Sequence, residues 1–399
     1  MALQQRIQLL AQQHHEDIRR LRRHIHAHPE LSFEEHETAR FVSQELQAMG
    51  LQPIEGVAGT GVTVLIEGRN PTQKTIALRA DMDALPIEEA NDVPYRSQHP
   101  GIMHACGHDV HTASLLGAAR ILQAVKADFE GTIKLIFQPG EERAPGGASQ
   151  MIEAGVLENP NPQAIIGQHV MPYLPVGTVG FRSGEYMASA DEIYLQLTGK
   201  GGHAAMPERF NDPVTVAAQI IVALQQIISR KNNPRNPAVL SFGHFQTQGK
   251  AATNIIPDSV SIAGTLRTLD PVFRMEAHGH IARVVQGIAS AFEVKADLEI
   301  RTGYPPLKND PDVTARAKAA ATRYMGPDRV VDLDIWLAAE DFAFFAQERP
   351  ACFYRLGTRN ESRGIVSGVH TPTFDIDEDA LPIGAGLMAW LAIEELGWN

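Results

Sequence analysis

The chain has 399 residues, 44% hydrophobic and 21% charged, with a formal net charge of -12. That length suits two or three domains with at least one sizeable core. The acidic balance argues against a nucleic-acid surface or an anionic membrane as partner, because both need clustered positive charge. Two cysteines, Cys106 and Cys352, are too few for a disulfide framework, and no apolar run approaches eighteen residues. Residues 1–10 show no charged start followed by an apolar core. A cytoplasmic, reducing location with no secretory signal and no membrane span is therefore expected.

Residues 4–23 read as one amphipathic helix, apolar at Ile7, Leu10, Ile18 and Leu21, with the basic residues 19–23 on a solvated face. His24, His26 and His28 alternate out of helical register and read as structural or surface residues. Ser32 with Glu35 three positions on resembles a capping box for a helix over 33–49, closed by Gly50. Strand patterns follow at 61–67 and 75–79. The second runs into Asp81 and Asp83, and the carboxyl ends of apolar strands are where open α/β sheets place their chemistry.

Residues 104–113 then collect His104, Cys106, His108, Asp109 and His111, ahead of an apolar run at 113–125 that reads as a buried helix. Neutral imidazole and thiolate are good ligands for zinc, manganese or cobalt, and Cys-x-His spacing lets two groups reach one centre. A polar helix entry with capping Asp and Thr is the plainer alternative. The next apolar strand, 132–137, ends in Gln138-Pro139-Gly140-Glu141-Glu142. If one of those carboxylates binds metal, the other is placed to work on a water. A further strand at 164–167 ends at Gln168-His169. Three strand ends and one helix entry thus deliver ligand-type residues. Strands alternating with helices imply a largely parallel sheet covered by helices.

After Gly184 the pattern changes. Strand, helix, strand, strand, helix, strand over 185–298 reads as a small α+β domain inserted between two halves of a catalytic domain, 1–184 and 299–399. Its Gly-Lys-Gly-Gly-His turn at 199–203 lacks the spacing of a P-loop. The tail returns to the first pattern, with helices near 312–324 and 382–396, a buried strand at 352–356, and a loop at 355–369 expected to be mobile or beside substrate. The expected fold is α/β, with a mainly parallel central sheet and an inserted α+β lid.

Seven motifs, in order, resemble one family. They are Arg79-Ala-Asp81-Met-Asp83-Ala-Leu-Pro86, His104-Ala-Cys106-Gly-His108-Asp109, Gln138-Pro-Gly-Glu141-Glu142, Gly202-His203-Ala204, Asn254-Ile-Ile-Pro257, Gly264-Thr-Leu-Arg267 and Gly368-Val-His370-Thr-Pro372. The family is the co-catalytic metallopeptidases and aminoacylases, in the branch that holds hippurate hydrolases and plant auxin-conjugate hydrolases. The resemblance covers nearly the whole chain and implies a metallopeptidase-type catalytic domain with a lid or dimerisation domain.

It implies two divalent ions per subunit, of manganese, zinc or cobalt, held by Cys106, His108, Glu142, His169 and His370, with the Cys106 thiolate bridging. More distant relatives carry Asp where this chain has Cys106 and His where it has Asp81, and His108 stands in for that imidazole. Asp83 would orient a ligand. Glu141 would be the general base, returning the proton to the leaving amine. His203 would stabilise the oxyanion. Asn254 and Arg267 would bind substrate, the guanidinium fork matching a free carboxylate. The implied reaction is hydrolysis of N-acyl amino acids, by a homodimer or homotetramer. Hinges are expected near Gly184 and near residues 301–303. A carboxypeptidase or dipeptidase of the same architecture is the second reading. A non-catalytic metal-binding protein is the third, and Glu141 stands against it, since mere binding needs no base beside a ligand.

Overall fold

The structure, a computed structural model, describes residues 1–249 and 252–397. The chain forms two compact units. One comprises Met1–Glu185, Lys308–Ile335 and Asp341–Asn399, and the other Tyr186–Leu307 with Trp336–Glu340. The strand Lys295–Thr302 stays paired with Asp191–Thr198 as far as Thr302, so the second unit runs past residue 298, where the sequence pattern placed its end.

The first unit is built on an eight-stranded sheet. Its centre is the parallel set Thr132–Gln138, Thr75–Asp81, Ala164–Pro175 and Ala351–Arg359. The first two strands are buried at every position, as expected where helices cover both faces. Ile54–Val57 and Gly61–Glu67 extend one side antiparallel. Val179–Phe181, antiparallel to Ala351–Arg359, and Val330–Asp332 close the other. Helices His108–Ala124 and Ala380–Leu396 are almost wholly buried, and the second is apolar almost all round. Gly117 permits their close approach: a Cβ there would lie 2.8 Å from the Ala385 Cβ.

Register decides where chemistry collects. Asp81 pairs with Gln138, and Arg79 with Gly167. Asp83, Glu141 and Glu142 therefore follow two strands that end level, and His169 lies on the third parallel strand, just beyond the Gly167 that pairs with Arg79. The last of these strands continues to Pro175, so His169 lies within it and not after it.

The second unit is a four-stranded antiparallel sheet in the order Ala238–Thr247, Ser259–Thr268, Asp191–Thr198, Lys295–Thr302. Asp191–Thr198 buries alternate residues, the mark of a sheet packed on one face. Helices Pro213–Gln226 and Pro271–Ala291 each start with Pro at the first turn and an Asp whose side chain accepts two backbone N–H groups. Pro213–Lys231 is long and apolar enough to cross a membrane by length and composition. Its buried positions Val216, Ala217, Ile220, Leu224 and Ile227 belong to this unit's core.

Several local expectations change. The predicted helix over 4–23 is two helices, Leu3–Gln13 and His15–Ala27. Arg22 leaves the solvated face altogether. It is fully buried, with Nε donating to Asp109 Oδ2 at 2.7 Å and Nη2 to Asp375 Oδ1 at 2.9 Å. Counting periodicity alone puts Arg on the wet side; buried Asp109 and part-buried Asp375 reverse that. His26 is equally buried, between Asp109 and Glu89. The capping box also fails. Glu30, not Ser32, accepts from the Glu37 and Thr38 backbone N–H groups at the start of His36–Ala48. Residues 355–359 are strand, and Arg355 is fully buried, so the expected mobile loop begins later.

Candidate metal centre

All five expected ligands lie in the first unit, and they converge. Cys106, His108 and His169 place ligand atoms within 4.8 Å of one another, as do Cys106, Glu142 and His370. Cys106 Sγ is 3.5 Å from His169 Nε2. Glu142 Oε1 is 3.8 Å from His108 Nε2 and 3.2 Å from His370 Nε2. The two groups share the Cys106 sulfur, so these five residues would hold two divalent ions.

The residues fit such ions on a second count. His108 Nδ1 lies 2.9 Å from the Asp83 carbonyl and 3.1 Å from Asp83 Oδ1, both acceptors, so it carries a proton. Its Nε2 is buried with no hydrogen-bond partner among the described residues. A buried imidazole nitrogen is costly left alone, and this one faces Glu142. His169 repeats the pattern, with Nδ1–H donating to the Val170 carbonyl at 2.7 Å and Nε2 turned to Cys106. A ring whose far N–H is tied to an acceptor is oriented as metal-binding histidines are.

The charges agree. Burial pushes the Cys106 thiol well up, and the Glu142 and Glu141 carboxylates push it further. Burial pulls His108 down most, yet Asp81, Asp83 and Glu142 together hold it up at about 10. The metal-free pocket therefore keeps protons that a divalent cation replaces. His169 is held well below its ordinary value by burial and by Arg355, which keeps it a neutral donor. His370 is the exposed member of the set. Its backbone takes a left-handed φ of 60°, pinned by its N–H to the Ala105 carbonyl at 2.8 Å.

Around the ligands stands a buried frame. Asp83 Oδ2 accepts from Ser32 Oγ at 2.6 Å and from the Glu142 N–H at 2.9 Å. With its contact to His108, Asp83 thus touches two of the candidate ligands at once. Glu141 is buried beside His108 and Glu142, and the Asp341 N–H lies 3.4 Å from Glu141 Oε1. Asp341 in turn accepts from Arg79, Gln138 and the Ala148 N–H.

Glu35, misread as a cap, holds the Gly140 turn. Its Oε1 accepts from the Phe33 and Gly140 N–H groups at 2.9 and 2.8 Å, and its Oε2 from Thr60 Oγ1 at 2.6 Å. Gly140 is required there: its φ is +60°, and a Cβ would sit 2.3 Å from the Phe33 ring. Neither Glu35 nor the frame through Arg79 and Asp341 was assigned from sequence. The signals available were the acidic residues within 30–35 and 340–341 and the place of Arg79 in one of the seven motifs.

Burial, with the Asp83 charge second, raises Glu35 to about 7 from 4.5. Between those values the folded chain holds a proton that the unfolded chain has lost, so this group's contribution to stability falls as pH rises from 4.5 to 7. Glu35→Gln is neutral throughout. Its melting temperature relative to wild type is expected to improve by a few degrees between pH 4.5 and 7.5, measured by calorimetry. Parallel curves for the two proteins would show that Glu35 titrates normally.

The other three expected site residues lie in the second unit. Gly202–His203 pairs with Ile255–Ile256, and the Ala204 N–H donates to the Asn254 carbonyl at 3.0 Å, which sets His203 and Asn254 side by side. The Ala205 N–H donates to His203 Nδ1 at 3.1 Å. The proton of the neutral ring is therefore on Nε2, an outward N–H donor. Arg267 is half-buried on the central strand Ser259–Thr268, with Nε donating to Thr265 Oγ1 at 3.1 Å. Burial lowers its pKa, with the Asp191 and Glu192 charges opposing.

Residues 77–394 match Peptidase family M20/M25/M40. The chain is 43% identical over 361 residues to the N-acetyl-L-cysteine deacetylase of Bacillus subtilis (strain 168), covering 90% of this chain and 84% of that one. It is 40% identical over 380 residues to the thermostable carboxypeptidase 2 of Saccharolobus solfataricus, covering 94% and 95%. Among solved structures, a Bacillus subtilis protein described as a dinuclear metal binding peptidase from the M20 family superposes with a TM-score of 0.82, at 36% identity, over 96% of this chain and 99% of that one. The chain belongs to peptidase family M20/M25/M40, on its amidohydrolase branch, and is a metal-dependent hydrolase of amide bonds.

Proposed function

We propose that the protein hydrolyses N-acyl amino acids, hippurate-like or N-acetylated, to a carboxylic acid and a free amino acid. The observation that carries the reading is the pairing of a base-type carboxylate, Glu141, with a converged ligand set, in a chain 43% identical to an N-acetyl-L-cysteine deacetylase. Two divalent ions held by Cys106, His108, Glu142, His169 and His370 would supply Lewis acidity, polarising the scissile carbonyl. Zinc suits the thiolate; manganese and cobalt suit the histidines and Glu142 equally well. Glu141 takes a proton from the attacking water and returns it to the leaving amine. Asp83 keeps His108 and Glu142 in place. His203 offers its Nε2–H to the developing oxyanion. Asn254 lies beside it for a polar contact with substrate. Two free, buried cysteines suit a reducing, cytoplasmic setting.

Arg267 is the residue we assign to the substrate's α-carboxylate. Among the described residues this half-buried guanidinium has no bidentate partner, an incomplete arrangement that a carboxylate would finish. Arg267→Ala is expected to lower kcat/KM on an N-acetyl amino acid by about 10²-fold, the scale of a lost buried charge pair, with metal content unchanged. The loss on the corresponding amide should be much smaller. Equal losses on both substrates would show that Arg267 holds its strand and not the substrate's charge.

The likeness to a carboxypeptidase keeps a second reading open. A peptidase must accommodate a charged α-amine where an acylase takes an apolar or neutral acyl group. Assay of metal-reconstituted protein on hippurate, N-acetyl-methionine and a set of dipeptides separates the two: turnover confined to dipeptides would displace the acylase reading.

A further inference from the structure

Three histidines stand in the motif around Cys106, and the reaction described above uses one. His111 is fully buried, three residues beyond the ligand His108 on the same helix. By distance it belongs to a possible ligand group of its own, since Asp81, His108 and His111 place ligand atoms within 4.8 Å. Its hydrogen bonds exclude that role. The Val170 N–H donates to His111 Nε2 at 2.9 Å, so that nitrogen carries no proton and its lone pair is occupied. Nδ1 then bears the proton and donates to Asp81 Oδ1 at 2.6 Å. Neither nitrogen is left for a metal.

We propose that His111 is a positioning residue that fixes His169 through the peptide units of Val170. The inference rests on the metal-centre reading of His169. The chain of contacts is continuous. Arg79 Nη1 donates to Asp81 Oδ2 at 2.7 Å, which anchors the carboxylate. Asp81 Oδ1 accepts from His111, and His111 accepts from the Val170 N–H. The Val170 carbonyl accepts from His169 Nδ1–H at 2.7 Å. Val170 is thus held on both sides, by one imidazole at its N–H and by another at its C=O. The rings of His111 and His169 also pack at 4.5 Å between centroids. Each link sets the tautomer of the next, and the last sets which nitrogen of His169 faces Cys106. Thr112 Oγ1 adds a bond to the Asp81 carbonyl at 2.7 Å and steadies the same corner.

Two conservative variants of the full chain separate this role from a merely structural one. A glutamine side chain reaches about as far as Nε2 and can present an acceptor to the Val170 N–H. Asparagine stops near Nδ1 and can serve only Asp81. Zinc affinity is read by competition with a chromophoric chelator. His111→Asn is expected to weaken zinc binding about 10–100-fold, the usual cost of losing a group behind a ligand, while His111→Gln recovers most of it. Wild-type affinity in both variants would overturn the proposal, as would an equal loss in both. A second measurement needs no variant and no metal. In the metal-free protein, labelled at histidine nitrogen, the NMR signals of His111 should show a neutral ring with the proton on Nδ1. A proton on Nε2, or on both nitrogens, would overturn it. Wild-type protein that binds no zinc at all would remove the metal-centre reading, while the tautomer measurement would still decide whether His111 grips Val170.

Discussion

Glu141→Gln should retain its metal and lose turnover by a factor of about 10²–10⁴, the range that one positioned acid–base group contributes. The upper end is expected, because the same carboxylate is assigned both the removal of a proton from water and its delivery to the leaving amine. Its placement supports this assignment. Glu141 shares a ligand-distance group with His108 and Glu142, and its carboxylate is buried and faces the Asp341 N–H. The substitution preserves shape and volume, so the neighbours need not move. The checks are kcat on an N-acyl amino acid and metal content by elemental analysis. A variant with wild-type kcat and full metal would mean that another group moves the proton. A variant that loses its metal would place Glu141 among the ligands instead.

Removing the metal should abolish activity, and adding manganese, cobalt or zinc should restore it. The physical basis is the chemistry of the pocket: among the described residues His108 Nε2 has no hydrogen-bond partner, and the Cys106 thiol is pushed up by burial and by two carboxylates. A divalent ion relieves both conditions, so its binding should also raise the melting temperature. His108→Ala should lose metal and rate together, since it deletes a buried donor and takes from Asp83 Oδ1 its His108 partner. His370→Ala should lose metal with less disturbance of the fold, because His370 is exposed. Full activity of protein verified to be metal-free would refute the two-ion arrangement. Release of protons on titrating zinc into the metal-free protein gives an independent check, since His108 and Cys106 must give theirs up.

The ligand residues were legible because each sits at a place with a recognisable pattern. Cys106 and His108 lie at the entry to a buried helix, Glu142 follows an apolar strand, and His169 lies within one. Seven motifs in order then made the family plain. What local pattern misjudged was the buried polar frame. Arg22 lies at a position that helical periodicity gives to solvent, and the convergence of Asp109, Asp375 and Glu378 from distant segments makes its burial tolerable. Glu35 has the spacing of a capping residue, yet its carboxylate turns to Gly140, 105 residues away. Local rules weigh neighbours within a turn, and these partners are brought by the fold.

The same division holds for the centre as a whole. Composition and strand–helix alternation pointed to the α/β class and an inserted α+β segment, and the resemblance carried by the seven motifs implied the five candidate ligands and the candidate base. They identify which side chains have the chemistry, because ligand type and acidity are properties of single residues. The tertiary structure alone decided their states. That His108 presents Nε2 follows from Asp83 holding Nδ1, and that His203 presents an N–H follows from the Ala205 amide. That His111 is no ligand follows from Val170 and Asp81 occupying both its nitrogens. A tautomer is set by hydrogen-bond partners, and those partners are fixed in space by sheet register and helix packing, not by neighbourhood along the chain.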